Sequence, residues 1–236
     1  MRRRMFAAAI AGMMLFIGFA TGVYAWSGNT WGSETRATIE SVANSMIGYS
    51  WSPKNSMKNW EFGTTYYTFS KGTFYIGEAY SQNNPQESKS EFASLVSNTA
   101  GGTTYYGNDC SGFVSMCWKL PSRYTTGIFE SDATSTGGYV TSLGSKGTAQ
   151  SVLLLKGDAL NASGNHVVLV AEKISSGIKT MEQTPPKARF KDWTFSQLLS
   201  YRPITGVSSF TIIGQHPNRD SDVAPDDFFL PEQMGF

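Results

Sequence analysis

The chain is poor in charge. Only 16% of its 236 residues are Asp, Glu, Lys or Arg, and the formal net charge is +1. An ordinary soluble domain carries about a quarter. The basic footprint of a nucleic-acid binder is therefore missing, and Ser, Thr, Asn, Gly and Tyr must wet the surface. Cysteine is scarce too: Cys110 and Cys117 are the only two. They cannot build a disulfide framework, and no CxxC pair offers a zinc knuckle. The two histidines, His166 and His216, lie fifty residues apart and satisfy no metal spacing. No HExxH helix or P-loop occurs, and no GxSxG elbow. These absences lead us to expect neither metal nor organic cofactor. Aromatic residues are plentiful at 14%, enough to build a core and exclude disorder. The length suits one domain with a small appendage.

Long apolar runs are absent except at the start. Arg2, Arg3 and Arg4 precede the apolar stretch Met5–Gly22, and Val23-Tyr24-Ala25 supplies a cleavage-site pattern. This is the anatomy of a secretory signal peptide. The competing reading is an uncleaved anchor, because the run approaches the ~20 residues that span a bilayer. No cysteine follows, so a lipid-modified N-terminus is not indicated. We expect residues 1–25 to be removed and 26–236 to work outside the cytoplasm: secreted, in the cell wall or in the periplasm, with no membrane partner after cleavage. Losing three arginines and no acids leaves 16 basic against 18 acidic residues, a net charge of −2.

Along the exported chain, Ile39, Val42, Ala43, Met46 and Ile47 follow helical spacing over 34–47, with Gly48 as a stop. Residues 49–85 are dense in Tyr, Trp, Phe, Gly and Asn and read as ordered loops and short strands. A short helix is expected over 88–97 and another over Cys110–Trp118. Residues 121–148 read as a turn-rich connector. Strands are expected at Val152–Leu155, His166–Ala171, Ile178–Gln183 and Ser208–Ile213, with a helix around Phe195–Leu199. Residues 216–236 resemble a polar tail. Helices first and strands after argue for one α+β unit.

The chemistry concentrates at Cys110. It follows Asp109, a good N-cap, at the start of an expected helix. Helix N-termini carry partial positive charge and unpaired N–H groups, which stabilise a thiolate. Ser111 and Gly112 are small and leave room for a substrate. Cys117 is two turns further along, ~10 Å away by helix rise, beyond disulfide reach, and reads as core. A cysteine nucleophile needs a base. His166 opens the apolar strand Val167–Val170 after a turn-rich stretch, whereas His216 reads as a solvated loop residue. A third polar group usually orients the imidazole. On the next strand, alternation puts Thr180 and Glu182 on one face and Met181 and Gln183 on the other. Either face remains open.

Asn108-Asp109-Cys110-Ser111-Gly112-Phe113-Val114 resembles the nucleophile motif of the NlpC-type cell-wall peptidases, exported papain-like enzymes of bacteria. Leu155–Leu160 looks like that family's Gly-Asp turn, and Asn165–Val170 like its histidine strand. Glu182 in Met181-Glu182-Gln183 is the closest match to the third catalytic residue. Tyr75–Ser81 is similar to the segment before the nucleophile, whose tyrosine, here Tyr80, lines the site and helps bind the oxyanion. The resemblance covers roughly residues 74–183.

It implies a papain-like NlpC-type α+β fold, with N-terminal helices on a mostly antiparallel sheet and the nucleophile at a helix N-terminus. Residues 26–215 would form the peptidase domain: 26–73 the N-terminal helix and aromatic loops, 74–215 the catalytic core. Cys110, His166, Glu182 and Tyr80 would be catalytic, with Asp109, Ser111 and Gln183 near the substrate. The implied activity is cysteine-peptidase hydrolysis of peptidoglycan stem-peptide amides, near a D-γ-glutamyl bond. The partner is then the peptidoglycan peptide. Two departures bear on substrate choice: the family's third residue is usually His, Asn or Gln, and 49–74 and 121–148 exceed a minimal domain. Competing expectations are a thiol amidase, toxin or transferase on another amide, or a silent binding module. The aromatic stretch 49–80 is a candidate for stacking on wall sugars or peptide.

Overall fold

Helix α1 (Arg36–Ile47) forms where Ile39, Ala43 and Met46 share a buried face. The Thr35 side chain accepts a hydrogen bond from the Thr38 N–H at one end, and the Gly48 N–H bonds the Asn44 carbonyl at the other. The computed structural model describes residues 35–59, 67–83, 85–98, 105–135, 138–144, 154–200 and 211–215. The expected signal peptide, His216 and the expected tail lie outside the described residues. Among the described residues, no helix is long and apolar enough to cross a membrane.

After α1 come four two-residue strands: β1 (Ser50–Trp51), β2 (Met57–Lys58), β3 (Thr68–Phe69) and β4 (Tyr75–Ile76). β1 pairs with β4 and β2 with β3. Next come α2 (Lys89–Asn98), α3 (Cys110–Cys117) and α4 (Thr126–Asp132). The remainder is β5 (Val140–Gly144), β6 (Ala159–Ala162), β7 (His166–Ile174), β8 (Gly177–Thr184), β9 (Lys187–Thr194), α5 (Phe195–Ser200) and β10 (Thr211–Gln215). Six strands make one sheet in the order β5-β10-β6-β7-β8-β9. Every neighbouring pair in it is antiparallel. The fold is thus mixed α and β on antiparallel sheets.

Both faces of this sheet are covered. Val167 and Leu169 of β7, with Met181 and Ala188, join Phe113, Val114 and Cys117 of α3 and Met46 of α1 in one core. Val168 and Val170 join Ile178, Trp193, Leu154 and Leu198 in another. Alternate β7 residues feed opposite cores, so the sequence shows an unbroken apolar run there instead of alternation. A third cluster holds Trp51, Phe69 and Phe92 with Tyr75 against them. Ring centroids lie 5.0 Å apart for Trp51–Phe69 and for Trp51–Phe92. These three rings pack tilted or edge-on against one another in the interior, while Tyr67 and Phe74 of the same aromatic stretch are exposed.

Three expectations need correction. The connector 121–148 contains α4 and β5. Thr125 caps α4 through the Ile128 N–H, and Phe129 is its one buried residue, so its apolar signal is faint. Leu154 and Leu155 are not in a strand; they lead into the turn at Gly157, and the strand there is β6. No strand was expected at 187–194, yet β9 forms the sheet's edge. Arg189 and Lys191 on it are charges of the kind that keep an edge from pairing with other chains. At Lys187 the strand instead bridges Ala79, and the ammonium donates to the Ile76 carbonyl. The charges mask the strand pattern.

Candidate active site

α3 is held at its first residue by a compact polar cap. Asp109 is extended, at φ −104° and ψ −179°. Its Oδ1 accepts the Gly112 N–H at 2.7 Å and the Ser111 hydroxyl at 3.0 Å. Its Oδ2 accepts from Arg123 Nη2. The Asn108 Oδ1 accepts the Asp109 N–H at 2.9 Å. A Cβ on Gly112 would stand 1.9 Å from that same Asn108 oxygen, so the close approach requires glycine. All eight residues of α3 are buried, which fixes Cys110 at the helix's positive end.

Asp109 and Ser111, expected beside the substrate, thus spend their polar atoms on the helix cap. Loss of an N-cap costs about 1 kcal/mol. Asp109→Ala should lower the unfolding free energy in urea by about 1–3 kcal/mol, because Arg123 also loses its partner. Asp109→Asn, which keeps the cap, should lose less than half of that. Equal losses would place the energy in the charge and not in the cap.

His166 and Glu182 sit where two strands part. The β7–β8 ladder runs from Ile174↔Gly177 to Leu169↔Met181. β7 continues to His166 against β6, and β8 continues to Thr184 against β9. Beyond Leu169 and Met181 the two strands share no described rung, and both site residues lie in that stretch. His166 Nε2 is 3.0 Å from Glu182 Oε2. The other carboxylate oxygen lies 3.4 Å from the Thr180 hydroxyl, whose own face of β8 it shares. The open choice of face is settled: Glu182 is on the histidine's side.

His166 is also hydrogen-bonded to Cys110. Burial works against the imidazolium, but hydrogen bonds and charge from Cys110 and Glu182 outweigh it and raise the His166 pKa to about 10. Burial likewise opposes ionisation of Glu182, and the His166 hydrogen bond and charge, helped by Lys191 and Arg189, hold its pKa below the usual carboxylate value. At neutral pH the pair is imidazolium and carboxylate. Such an arrangement can deliver a proton to a leaving group.

Tyr80 is buried, and its backbone bridges that of Asn108. The Asn108 N–H bonds the Ala79 carbonyl at 3.0 Å and the Ser81 N–H bonds the Asn108 carbonyl at 2.9 Å. The tyrosine segment is thereby fixed alongside the residues that precede Cys110. Gln183 is fully buried, and its Nε2 donates to the Glu78 and Ala79 carbonyls at 3.0 and 2.7 Å. It braces that segment from β8.

The Gly-Asp turn anchors α3 from the other side: Trp118 Nε1 donates to the Gly157 carbonyl at 2.9 Å. Asp158 accepts the Leu155 N–H at 2.9 Å and pairs with Arg36 at 3.2 Å. Cys117 is fully buried in the main core, and burial followed by the charge of Glu78 pushes its thiol pKa well up.

Arg123 and Glu78 were not singled out in sequence. Thr180 shares a face with Glu182 by simple alternation, but Arg123 lies in a connector with no pattern to mark it. Among the described residues, no group of three or more His, Cys, Asp or Glu could hold a metal ion. No family model matches this chain, and neither the curated proteins nor the solved structures contain a match to it.

Proposed function

We propose that this protein is an exported cysteine-type amide hydrolase of NlpC-type papain-like character, acting on peptidoglycan stem peptides. The observation that carries the reading is one imidazole hydrogen-bonded to both Cys110 and Glu182. The substrate class rests on the likeness of 108–114 and 155–170 to the wall peptidases.

In this reading, the Cys110 sulfur attacks the amide carbonyl while His166 holds the thiol proton. The imidazolium then protonates the departing amine, leaving a thioester on Cys110. Water, deprotonated by the now neutral imidazole, hydrolyses the thioester and restores the pair. The Cys110 N–H, at the open end of α3, and Tyr80 would stabilise the oxyanion; one such donor is worth roughly 3 kcal/mol. Glu182 keeps the imidazole oriented and protonated.

The test is digestion of purified peptidoglycan by the exported chain, with mass spectrometry of the fragments. New amine and carboxyl termini within stem peptides are expected. Cleavage at the sugar–peptide amide instead would make the protein an amidase, and no cleavage of any wall amide would sink the reading.

The pH profile gives a second check. Activity needs the imidazolium, so it should fall as pH rises through about 10, the raised His166 value. Glu182→Gln removes the carboxylate charge and should move that alkaline limb down by at least about one pH unit, toward an ordinary histidine. A limb that stays in place would mean that Glu182 does not support the imidazolium.

A further inference from the structure

We propose that Gln183 is a positioning residue: from the strand that carries Glu182, it sets the spacing between the Cys110 helix and the His166–Glu182 pair. The proposal rests on the hydrolase reading above and adds to it the part that holds the two halves of the site together.

Successive residues of a strand face opposite ways. On β8, Glu182 meets His166. Gln183 lies across the ladder from Ala188, and Met181 and Ala188 on its face belong to the core that holds α3. The Gln183 side chain is 0% exposed. Its Nε2 sits 3.0 Å from the Glu78 carbonyl oxygen and 2.7 Å from that of Ala79. Two acceptors at one end of the amide fix that end as the nitrogen. The Ala79 oxygen also accepts the Asn108 N–H at 3.0 Å, and Asn108 Oδ1 accepts the Asp109 N–H at 2.9 Å. Gln183 is thus one shared carbonyl away from the residues that lead into Cys110. Adjacent residues of one strand thereby serve the two halves of the site, Glu182 the imidazole and Gln183 the approach to the thiol.

Backbone bonds tie the same segment to β9 and the turn before it: the Ala188 N–H bonds the Glu78 carbonyl at 2.8 Å, and the Tyr80 N–H bonds the Pro186 carbonyl at 2.9 Å. Gln183 adds the tie to β8 itself, one residue from Glu182. Both carbonyls that it contacts have a second donor, Ala188 for Glu78 and Asn108 for Ala79, so removing the amide would orphan neither. Its own Oε1 is buried with no hydrogen-bond partner among the described residues. Such an orphan costs free energy of the same order as two neutral hydrogen bonds contribute. Folding stability therefore gives little reason for an amide here, since methionine would fill the space without an unpaired oxygen. What the amide adds is a fixed distance from β8 to the Asn108 segment. A displacement of about 1 Å at reacting groups can cost about a hundredfold in rate.

The experiment compares the exported chain with Gln183→Met and Gln183→Glu, on a soluble peptidoglycan stem peptide and by iodoacetamide labelling of Cys110. Gln183→Met should keep the urea midpoint near wild type and KM within about twofold, while kcat falls at least about tenfold. Labelling of Cys110 at neutral pH should slow several-fold, because removal of the thiol proton by an adjacent base activates the nucleophile. Gln183→Glu sets a carboxylate against two carbonyl oxygens. It should be impaired at mildly alkaline pH and recover relative to wild type as pH falls, when the acid gains an O–H to donate. Gln183→Met should show no such recovery. Wild-type kcat and labelling in a folded Gln183→Met overturn the positioning role. So does a kcat loss matched by loss of folded protein, or a Gln183→Glu profile parallel to that of Gln183→Met. Cleavage of no wall amide by wild type overturns the hydrolase reading instead, and the labelling ratio still decides the positioning.

Discussion

Cys110→Ala is expected to reduce amide cleavage by about a thousandfold or more, as loss of a covalent nucleophile does, while Cys117→Ala leaves the rate within a few-fold. The two thiols share one helix, so the contrast isolates position. Cys110 is the first residue of α3, with the Asp109 cap before it and His166 bonded to it. Cys117 is the last, at 0% exposure among the core side chains, and its thiol is pushed well toward the neutral form. Exchanging its sulfur for hydrogen removes buried contacts and should cost about 1 kcal/mol in stability. Iodoacetamide at neutral pH should label Cys110 well before Cys117, followed by peptide mapping. Wild-type fragments from Cys110→Ala, with the fold intact by circular dichroism, would remove the nucleophile assignment. Loss of activity in a folded Cys117→Ala would remove the core reading of that residue.

The parts of this site that were legible in sequence are those fixed by local rules. A capping aspartate, a cysteine and a glycine in four residues specify a helix start. A histidine before four apolar residues specifies the beginning of a buried strand. Alternation paired Thr180 with Glu182. Each of these depends on neighbours within a few positions, and each stands where it was expected.

What was not legible depends on long-range register. Gln183 and Glu182 are adjacent in the chain, yet one braces the Glu78–Ala79 backbone and the other meets His166. The face each occupies is set by how β8 pairs with β7 and β9, and no local pattern encodes that. Arg123 is 14 residues from Asp109 and meets it only because the chain folds back after α3. β9 was invisible because its alternation carries charges outward on a sheet edge. Its two cations by Glu182 are therefore a product of topology, and only the rungs reveal them.

Glu78 is the clearest case of a residue whose role follows from burial alone, and it gives the second large expected effect. Its side chain is 0% exposed, and neither carboxylate oxygen has a hydrogen-bond partner among the described residues. Burial raises its pKa to about 8, against the attraction of Lys89 and with some repulsion from Glu91. The native state therefore keeps this proton up to about pH 8, whereas the unfolded chain releases it near the ordinary glutamate value of 4.5. Between those values the folded state binds more protons, so stability falls as pH rises, by about 1.4 kcal/mol per pH unit at most. Below 4.5 the contribution is fully present, and above about 8 it is fully lost.

Glu78→Gln keeps the shape and abolishes the titration. Urea unfolding at pH 5, 6.5 and 8 should show a decline in wild type that is steeper than in the variant, with Glu78→Gln the more stable protein at pH 8. The consequence reaches the site through the backbone. The Glu78 N–H bonds the Met46 carbonyl of α1 at 2.9 Å, and its carbonyl accepts from Ala188 of β9 at 2.8 Å and from Gln183 of β8. A charge forced into that junction strains the segment that holds Tyr80 beside Asn108. Equal slopes for wild type and Glu78→Gln would show that Glu78 is already ionised in the native protein, with a counter-charge drawn to it.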